Sequence, residues 1–207
     1  MDPKSKDGKP KPANSLGDVI AAVNKAAKSA DGDGQAKQRK LPPVHLWEPD
    51  YCGDIGMKIA RDGQWTYAGS PIGRVKLVEL FSTILRRDPD DEYYLVTPAE
   101  KIRVEVEDVP FIAIGMDVEG TGSNQNLTFR TNVGDFALAG AEHPLRFEIN
   151  PETQEPSPYI RIRTRLEARI NRAVYYELVE LGCEHEGYFG IWSGGVFSPI
   201  MSAEALA

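Results

Sequence analysis

Pro71-Ile72-Gly73-Arg74-Val75-Lys76-Leu77-Val78-Glu79-Leu80-Phe81-Ser82-Thr83-Ile84-Leu85 reads as one amphipathic helix with a start and a stop. Ser70-Pro71 and Gly73 open it, and Leu77, Val78, Phe81, Ile84 and Leu85 share one face, a core-facing pattern. Arg86-Arg87 are expected in its last turn, where cations complement the carbonyl end, and Pro89 stops it. Shifted by 98 positions the segment returns: Ile72 matches Ile170, Arg74 matches Arg172, Glu79 matches Glu177 and Leu80 matches Leu178. The second helix is expected to start near Glu167 and run to about Leu181, with Ile170, Val174, Leu178 and Leu181 on one side. An aromatic strand follows each helix, Tyr93-Tyr94-Leu95-Val96 in one case and Tyr188-Phe189-Gly190-Ile191-Trp192 in the other. Strands, one helix and a hairpin thus recur in the same order, as in a duplicated chain with its junction near Asp108-Val109-Pro110.

Outward from these helices the chain alternates with a period of two. Residues 57–60 and 65–68 are joined by Arg61-Asp62-Gly63-Gln64, where Asp-Gly favours a hairpin turn. Residues 93–96 and 102–106 pair around Thr97-Pro98-Ala99-Glu100, with Ile102, Val104 and Val106 inward and Arg103, Glu105 and Glu107 outward. Strands continue at 111–118, 127–131, 136–139, 145–149 and 159–163, between turns rich in Gly, Asn and Asp, the texture of an antiparallel meander. Residues 188–192 and 196–200 close the chain as a hairpin around Ser193-Gly194-Gly195. The expected fold class is α+β: two similar halves, 41–109 and 110–207, each an antiparallel sheet with one amphipathic helix, after a basic tail at 1–40.

That tail differs from the rest. It holds nine Lys/Arg against five Asp/Glu, which leaves 15 basic and 26 acidic residues in 41–207, a net −11. Residues 1–13 are Lys/Pro-rich and expected to be disordered. Ser15 and Asp18 make a loose N-cap before Leu16, Val19, Ile20, Val23 and Ala27, a helix too short to be stable alone. The tail is therefore expected to be dispensable for folding. So acidic a body repels phosphate backbones, so no DNA or RNA partner is expected, although a few local arginines can still hold a small anion.

Hydrophobic residues at 41% and charged residues at 27% describe a globular chain. No apolar run approaches the roughly 18 residues of a membrane span, and no apolar segment of a secretory signal follows the first lysines. Cys52 and Cys183 are too few for a disulfide framework, which fits a reducing cytoplasm.

Motifs of catalysis are missing. There is no GxxxxGK[ST] phosphate loop, and Gly120-Thr121-Gly122 sits between strands without the third glycine of a dinucleotide fingerprint. HExxH is absent, and three scattered histidines give no metal-ligand spacing; His185 is expected in a polar turn. Gly190-Ile191-Trp192-Ser193-Gly194 misses a nucleophile elbow by one glycine. Glu100, Asp108, Glu167 and Ser193 lack the mutual arrangement that acid–base chemistry needs, so a non-catalytic role is favoured, and the sequence leaves any cofactor unknown.

A cationic cluster remains. Arg161 and Arg163 share one face of a strand, Arg165 follows, and Arg169 and Arg172 are expected three apart on the second helix. Such a cluster either pairs with acids such as Glu167, Glu177 and Glu180 or holds a carboxylate or phosphate through forked guanidinium donors. Trp65, Tyr67 and Trp192 could stack on a planar ligand or lie in the core. The candidate site is Arg163, Arg172, Trp192 and the backbone of Ser193, Gly194 and Gly195, joined by Trp65 and by Arg74, the counterpart of Arg172 in the repeat. The glycine turn would offer free N–H donors.

Several of these segments together resemble the proteobacterial family known as domain of unknown function 1285. They are Asp62-Gly63-Gln64-Trp65, Pro71-Ile72-Gly73-Arg74, Leu80-Phe81, Tyr94-Leu95-Val96-Thr97-Pro98-Ala99-Glu100-Lys101, Val106-Glu107-Asp108-Val109-Pro110-Phe111, Leu166-Glu167-Ala168, Arg172, Tyr176-Glu177-Leu178 and Trp192-Ser193-Gly194-Gly195. The resemblance covers roughly 46–200. It implies internal duplication, a second half superficially like pleckstrin-homology domains, a nucleotide-like ligand between the halves, and a role in signal transduction. The expected function is a ligand-sensing module for a small anionic, nucleotide-like molecule; the alternative is a protein-interaction adaptor without such a ligand.

Overall fold

The structure, a computed structural model, describes residues 41–153 and 155–206 together with Gly17, Ile20 and Ala21. Those three tail positions are helical, and Ile20 is half-buried against the hydrophobic core. The rest of the expected tail helix lies outside the described residues.

From residue 41 on, the described residues are mostly sheet, with two α-helices, two six-stranded sheets and one three-stranded sheet. The first half runs β1 (Tyr51–Ile59), β2 (Trp65–Tyr67), β3 (Ser70–Pro71), α1 (Val75–Thr83), β4 (Leu85–Arg87), β5 (Tyr93–Val96) and β6 (Lys101–Val106). The second runs β7 (Phe111–Glu119), β8 (Asn126–Thr131), β9 (Phe136–Leu138), β10 (Leu145–Ile149), β11 (Pro156–Arg163), β12 (Leu166–Ile170), α2 (Arg172–Glu180), β13 (Cys183–His185), β14 (Tyr188–Ser193) and β15 (Val196–Ser202).

The first sheet has the order β3-β2-β1-β6-β5-β4, and the second, read from its β9 edge, β9-β8-β7-β12-β11-β10. Each is therefore two three-stranded antiparallel units joined by a parallel central pair, β1 with β6 and β7 with β12. The meander expected from the turns accounts for the units; the parallel seams join strands about 40 to 60 residues apart and leave no local signal.

α1 lies between the third and fourth strands of the first sheet, whereas α2 follows the sixth strand of the second. The helices thus hold different places relative to the two six-stranded sheets. What repeats at the 98-residue shift is a helix followed by an antiparallel three-stranded unit, β4-β5-β6 after α1 and β13-β14-β15 after α2.

Three local expectations are corrected. Residues 166–170 form a strand, because Leu166, Ala168 and Ile170 are buried while Glu167 and Arg169 alternate with them; α2 begins only where the Asn171 side chain accepts from Val174 N–H at 2.8 Å. Arg86 and Arg87 belong to β4, since the chain leaves α1 at Ile84 and the buried Leu85 pairs with Leu95. His185 ends β13 opposite Tyr188 instead of lying in a turn.

One continuous core links the halves, from Met57, Ile59, Trp65 and Phe81 to Phe111, Phe129 and Ile160. The β1–β2 turn docks against the second half: Gly63 has φ +82°, and a Cβ there would lie 2.8 Å from Ile112 Cγ1 and 2.9 Å from Asn132 Nδ2. At the junction, Asp108 accepts from Tyr159 at 3.1 Å and Arg169 at 3.0 Å, with Arg61 3.7 Å away.

Candidate functional site

Where the halves meet, the edge strand β4 faces the turn between β11 and β12, and residues 41–48 pass alongside. A cavity of about 530 Å³ opens there, lined from the first half by Pro42, Val44, Leu85 and Arg87 and from the second by Thr164 and Arg165, among others. Beside it lies a more polar recess of about 470 Å³ bounded by Arg146, Arg161, Glu148 and Glu167. Arg87, Thr164 and Arg165 line both. Both volumes suit a small molecule.

Each wall has a local cause. Arg163 pairs directly with Leu166, so Thr164 and Arg165 make a two-residue turn. Thr164 sits at φ +44°, a left-handed conformation that a β-branched residue rarely adopts. Its flanking arginines are tied down. Arg163 Nη1 donates to Asp135 Oδ2 at 3.0 Å and its Nη2 to the Ser82 carbonyl. Arg165 donates to the Asp88 carbonyl and to the Asp91 carboxylate across the cleft. Strain held by anchored neighbours is a recurrent feature of binding sites.

The 41–48 segment is held by Arg86, whose Nη1 donates to the carbonyls of Val44 at 2.8 Å and Trp47 at 2.6 Å. Asp88 aligns that guanidinium through Oδ1 at 2.5 Å and Oδ2 at 3.1 Å, and also receives Lys101 at 3.1 Å. Burial works to raise the Asp88 carboxyl pKa, but the bonds from Arg86 and Lys101 outweigh it and hold the group below the usual carboxylate range. Arg87 lies over the Tyr93 ring at 5.4 Å, and burial pushes that phenol upward. Arg146 grips Glu167 with two bonds, at 3.1 and 2.7 Å, and is raised by them. Arg161 is exposed on β11, directly opposite Glu167 of β12, whose carboxylate Arg146 already holds.

Of the expected site residues, only Arg163 reaches this cleft. Trp65 is core, 1% exposed and stacked on Phe81 at 6.3 Å. Arg74 is exposed at the start of α1. Arg172 is exposed on α2, where Nε donates to the Tyr176 hydroxyl at 2.7 Å. Trp192 packs against His185 and Phe197, with centroids at 5.0 and 5.3 Å.

The Ser193–Gly195 turn is a staple onto β8 and its preceding turn. Buried Ser193 Oγ accepts from Leu127 N–H at 2.9 Å and donates to the Ala139 carbonyl at 2.8 Å. Gly194 N–H is taken by the Gln125 carbonyl at 3.2 Å, so it is not available to an anion. A β-bulge separates Arg161 from Arg163, and Arg169 lies on β12 instead of beside Arg172. Sequence reading missed Arg87 and the 41–48 segment; the Arg86-Arg87 pair next to Pro89 was the available signal, and it was assigned to a helix end. Asp108 and Glu167 serve the contacts already described. Among the described residues no three His, Cys, Asp or Glu are grouped as a metal site.

Two family models match the chain with this geometry. Residues 42–109 match "Domain of unknown function (DUF1285), N-terminal domain", and residues 110–200 match "Protein of unknown function (DUF1285), C-terminal domain". The chain belongs to the DUF1285 family. A crystal structure of a DUF1285 family protein from Silicibacter pomeroyi DSS-3 is 47% identical, covers 89% of this chain and 97% of its own, and superposes with a TM-score of 0.77. A DUF1285 family protein from Shewanella baltica OS155 is 30% identical over 61% of this chain and 91% of its own, with a TM-score of 0.48. No curated protein matches.

Proposed function

We propose that this DUF1285 protein is a non-catalytic ligand-sensing module, which holds a small anionic, nucleotide-like molecule between its halves and relays occupancy in signal transduction. The observation that carries the proposal is the cleft of about 530 Å³, built from both halves and edged by Arg87, Thr164 and Arg165. A ligand there touches both halves at once, so binding stabilises their present arrangement over any other. The α+β description with a pleckstrin-homology-like second half belongs to the same proposal, on the strength of the resemblance. So does a cytoplasmic setting, which the free thiols Cys52 and Cys183 suit; no helix among the described residues is long and apolar enough to cross a membrane.

Native mass spectrometry of freshly purified protein, followed by thermal-shift measurements with a panel of nucleotides and other phosphorylated metabolites, tests this. A ligand at 100 times its Kd should stabilise the protein by about 2.7 kcal/mol. Arg87→Gln should weaken that response. No retained molecule and no shift across the panel would refute the sensor. The adaptor reading draws on edge strand β9, where Phe136 and Leu138 are 47% and 44% exposed. Co-purification of one protein without small-molecule binding would favour it.

A further inference from the structure

The cleft and the polar recess adjoin at Arg87, Thr164 and Arg165, and their chemistries differ. The cleft's apolar wall is aliphatic: Leu41, Pro42, Val44, Leu85, Pro89 and Leu166. No Phe, Tyr or Trp lines it, and its one aromatic ring is the exposed imidazole of His45, so a nucleobase would have only that small ring to stack on. The recess holds four arginines against two glutamates, a cationic spot in a chain of net charge −7. One of these, Arg161, stands opposite Glu167, whose carboxylate Arg146 engages, and Arg87 and Arg165 share Asp91 across the opening. Arg87, Thr164 and Arg165 stand at the boundary, where the head of a ligand would meet its body.

We infer that the site takes a free anionic amphiphile, with a phosphate or carboxylate head on the Arg87–Arg161–Arg165 shelf and an aliphatic body in the cleft. This rests on the ligand-binding role proposed above and narrows the ligand to an aliphatic acid. Charge complementarity selects the head, because the forked guanidinium donors match phosphate and carboxylate oxygens. Exclusion of water from the aliphatic wall selects the body. Affinity should therefore rise with chain length until the cleft is full.

The test is calorimetric titration of the full chain with n-hexyl, n-octyl and n-decyl phosphate below their micelle concentrations, with a nucleotide panel in parallel. Each added methylene should tighten binding about fourfold, equivalent to ~0.8 kcal/mol. Arg161→Gln, an exposed change whose folding is checked by thermal melting, should weaken every alkyl phosphate about tenfold or more. Leu41→Ser should flatten the dependence on chain length. Nucleotide binding that is lost in Arg87→Gln, with no alkyl phosphate binding, overturns the aliphatic ligand and leaves the sensor intact. Binding of neither class overturns both. Alkyl phosphate affinity that rises with chain length but ignores Arg161→Gln and Leu41→Ser is detergent-like adsorption, and affinity that ignores chain length shows no aliphatic pocket; either overturns the inference. So does sedimentation with phosphatidic acid vesicles when the monomeric alkyl phosphates fail to bind.

Discussion

Replacing Arg163 by Met removes a tie between the halves while keeping much of the side-chain volume. In the native protein this guanidinium reaches from β11 to Asp135 in the second half and to the Ser82 carbonyl at the end of α1, and lies 5.3 Å from the Phe111 ring centroid. The Arg163 and Asp135 side chains are 16% and 13% exposed, so the pair is largely withdrawn from water. Breaking a buried pair by deleting one partner costs about 3–5 kcal/mol, and the residual exposure places this case near the lower end, about 3 kcal/mol. For a chain of this size each kcal/mol moves Tm by about 2–4 °C, so Arg163→Met should melt about 6–12 °C below wild type. Urea unfolding of the wild type, Arg163→Met, Asp135→Asn and the double variant should give a coupling energy of about 1–3 kcal/mol. A loss below about 1 kcal/mol with an unchanged m-value would refute the structural role. Lost ligand binding at undiminished stability would return Arg163 to the ligand-contacting role expected from sequence.

Four further outcomes follow from other contacts. Ile20→Ala should lower stability by about 1 kcal/mol, the worth of a half-buried aliphatic side chain, and a melting temperature within 1–2 °C of wild type would support a tail dispensable for folding. Ser193→Ala leaves Leu127 N–H and the Ala139 carbonyl without their partner, so urea unfolding should show a loss of about 2 kcal/mol. Thr164→Asn suits the positive φ better and should raise stability by about 1 kcal/mol; a loss would mean that the turn carries no strain. The Asp88 carboxyl is held below its unfolded value, so its stabilisation is present above the usual carboxylate range near 3.9 and lost as the pH falls below it. The stability gap between wild type and Asp88→Asn should therefore narrow from about pH 5 to pH 3, and a gap constant over that window would contradict the assignment.

What was legible in the sequence depended on local signals. The buried positions of β6, Ile102 and Val104, and the turns at Asp62-Gly63 and Gly194-Gly195 were readable because period and turn chemistry reside in a few neighbouring residues. The false helix at 167–170 arose because Ile170, Val174 and Leu178 keep helical spacing across a strand–helix boundary; the cap at Asn171 was the signal against it. The arginines were harder. Acids close in sequence, Glu177 and Glu180, were the obvious partners, whereas Arg163, Arg165 and Arg169 pair with Asp135, Asp91 and Asp108. Those pairings depend on the parallel seams and on the docking of the halves, neither of which leaves a local trace.

The place of the cleft follows from how the two six-stranded sheets differ. They share a strand order, but only the first carries a helix between its third and fourth strands. The fourth strand of the first sheet is entered from the end of α1: Ser82 and Thr83 lead through Ile84 into Leu85-Arg86-Arg87. In the second sheet the fourth strand, β10, is entered from a loop, and its Arg146 is engaged by Glu148 and Glu167 of its own half. The α1 exit also places the Ser82 carbonyl within reach of Arg163, and it brings Arg86 to the carbonyls of the 41–48 segment. The inserted helix thus gives one edge strand contacts to a segment and to a turn that the other lacks. A cavity forms along that edge because Arg86 holds the segment on one side while Arg163 and Arg165 hold the turn on the other.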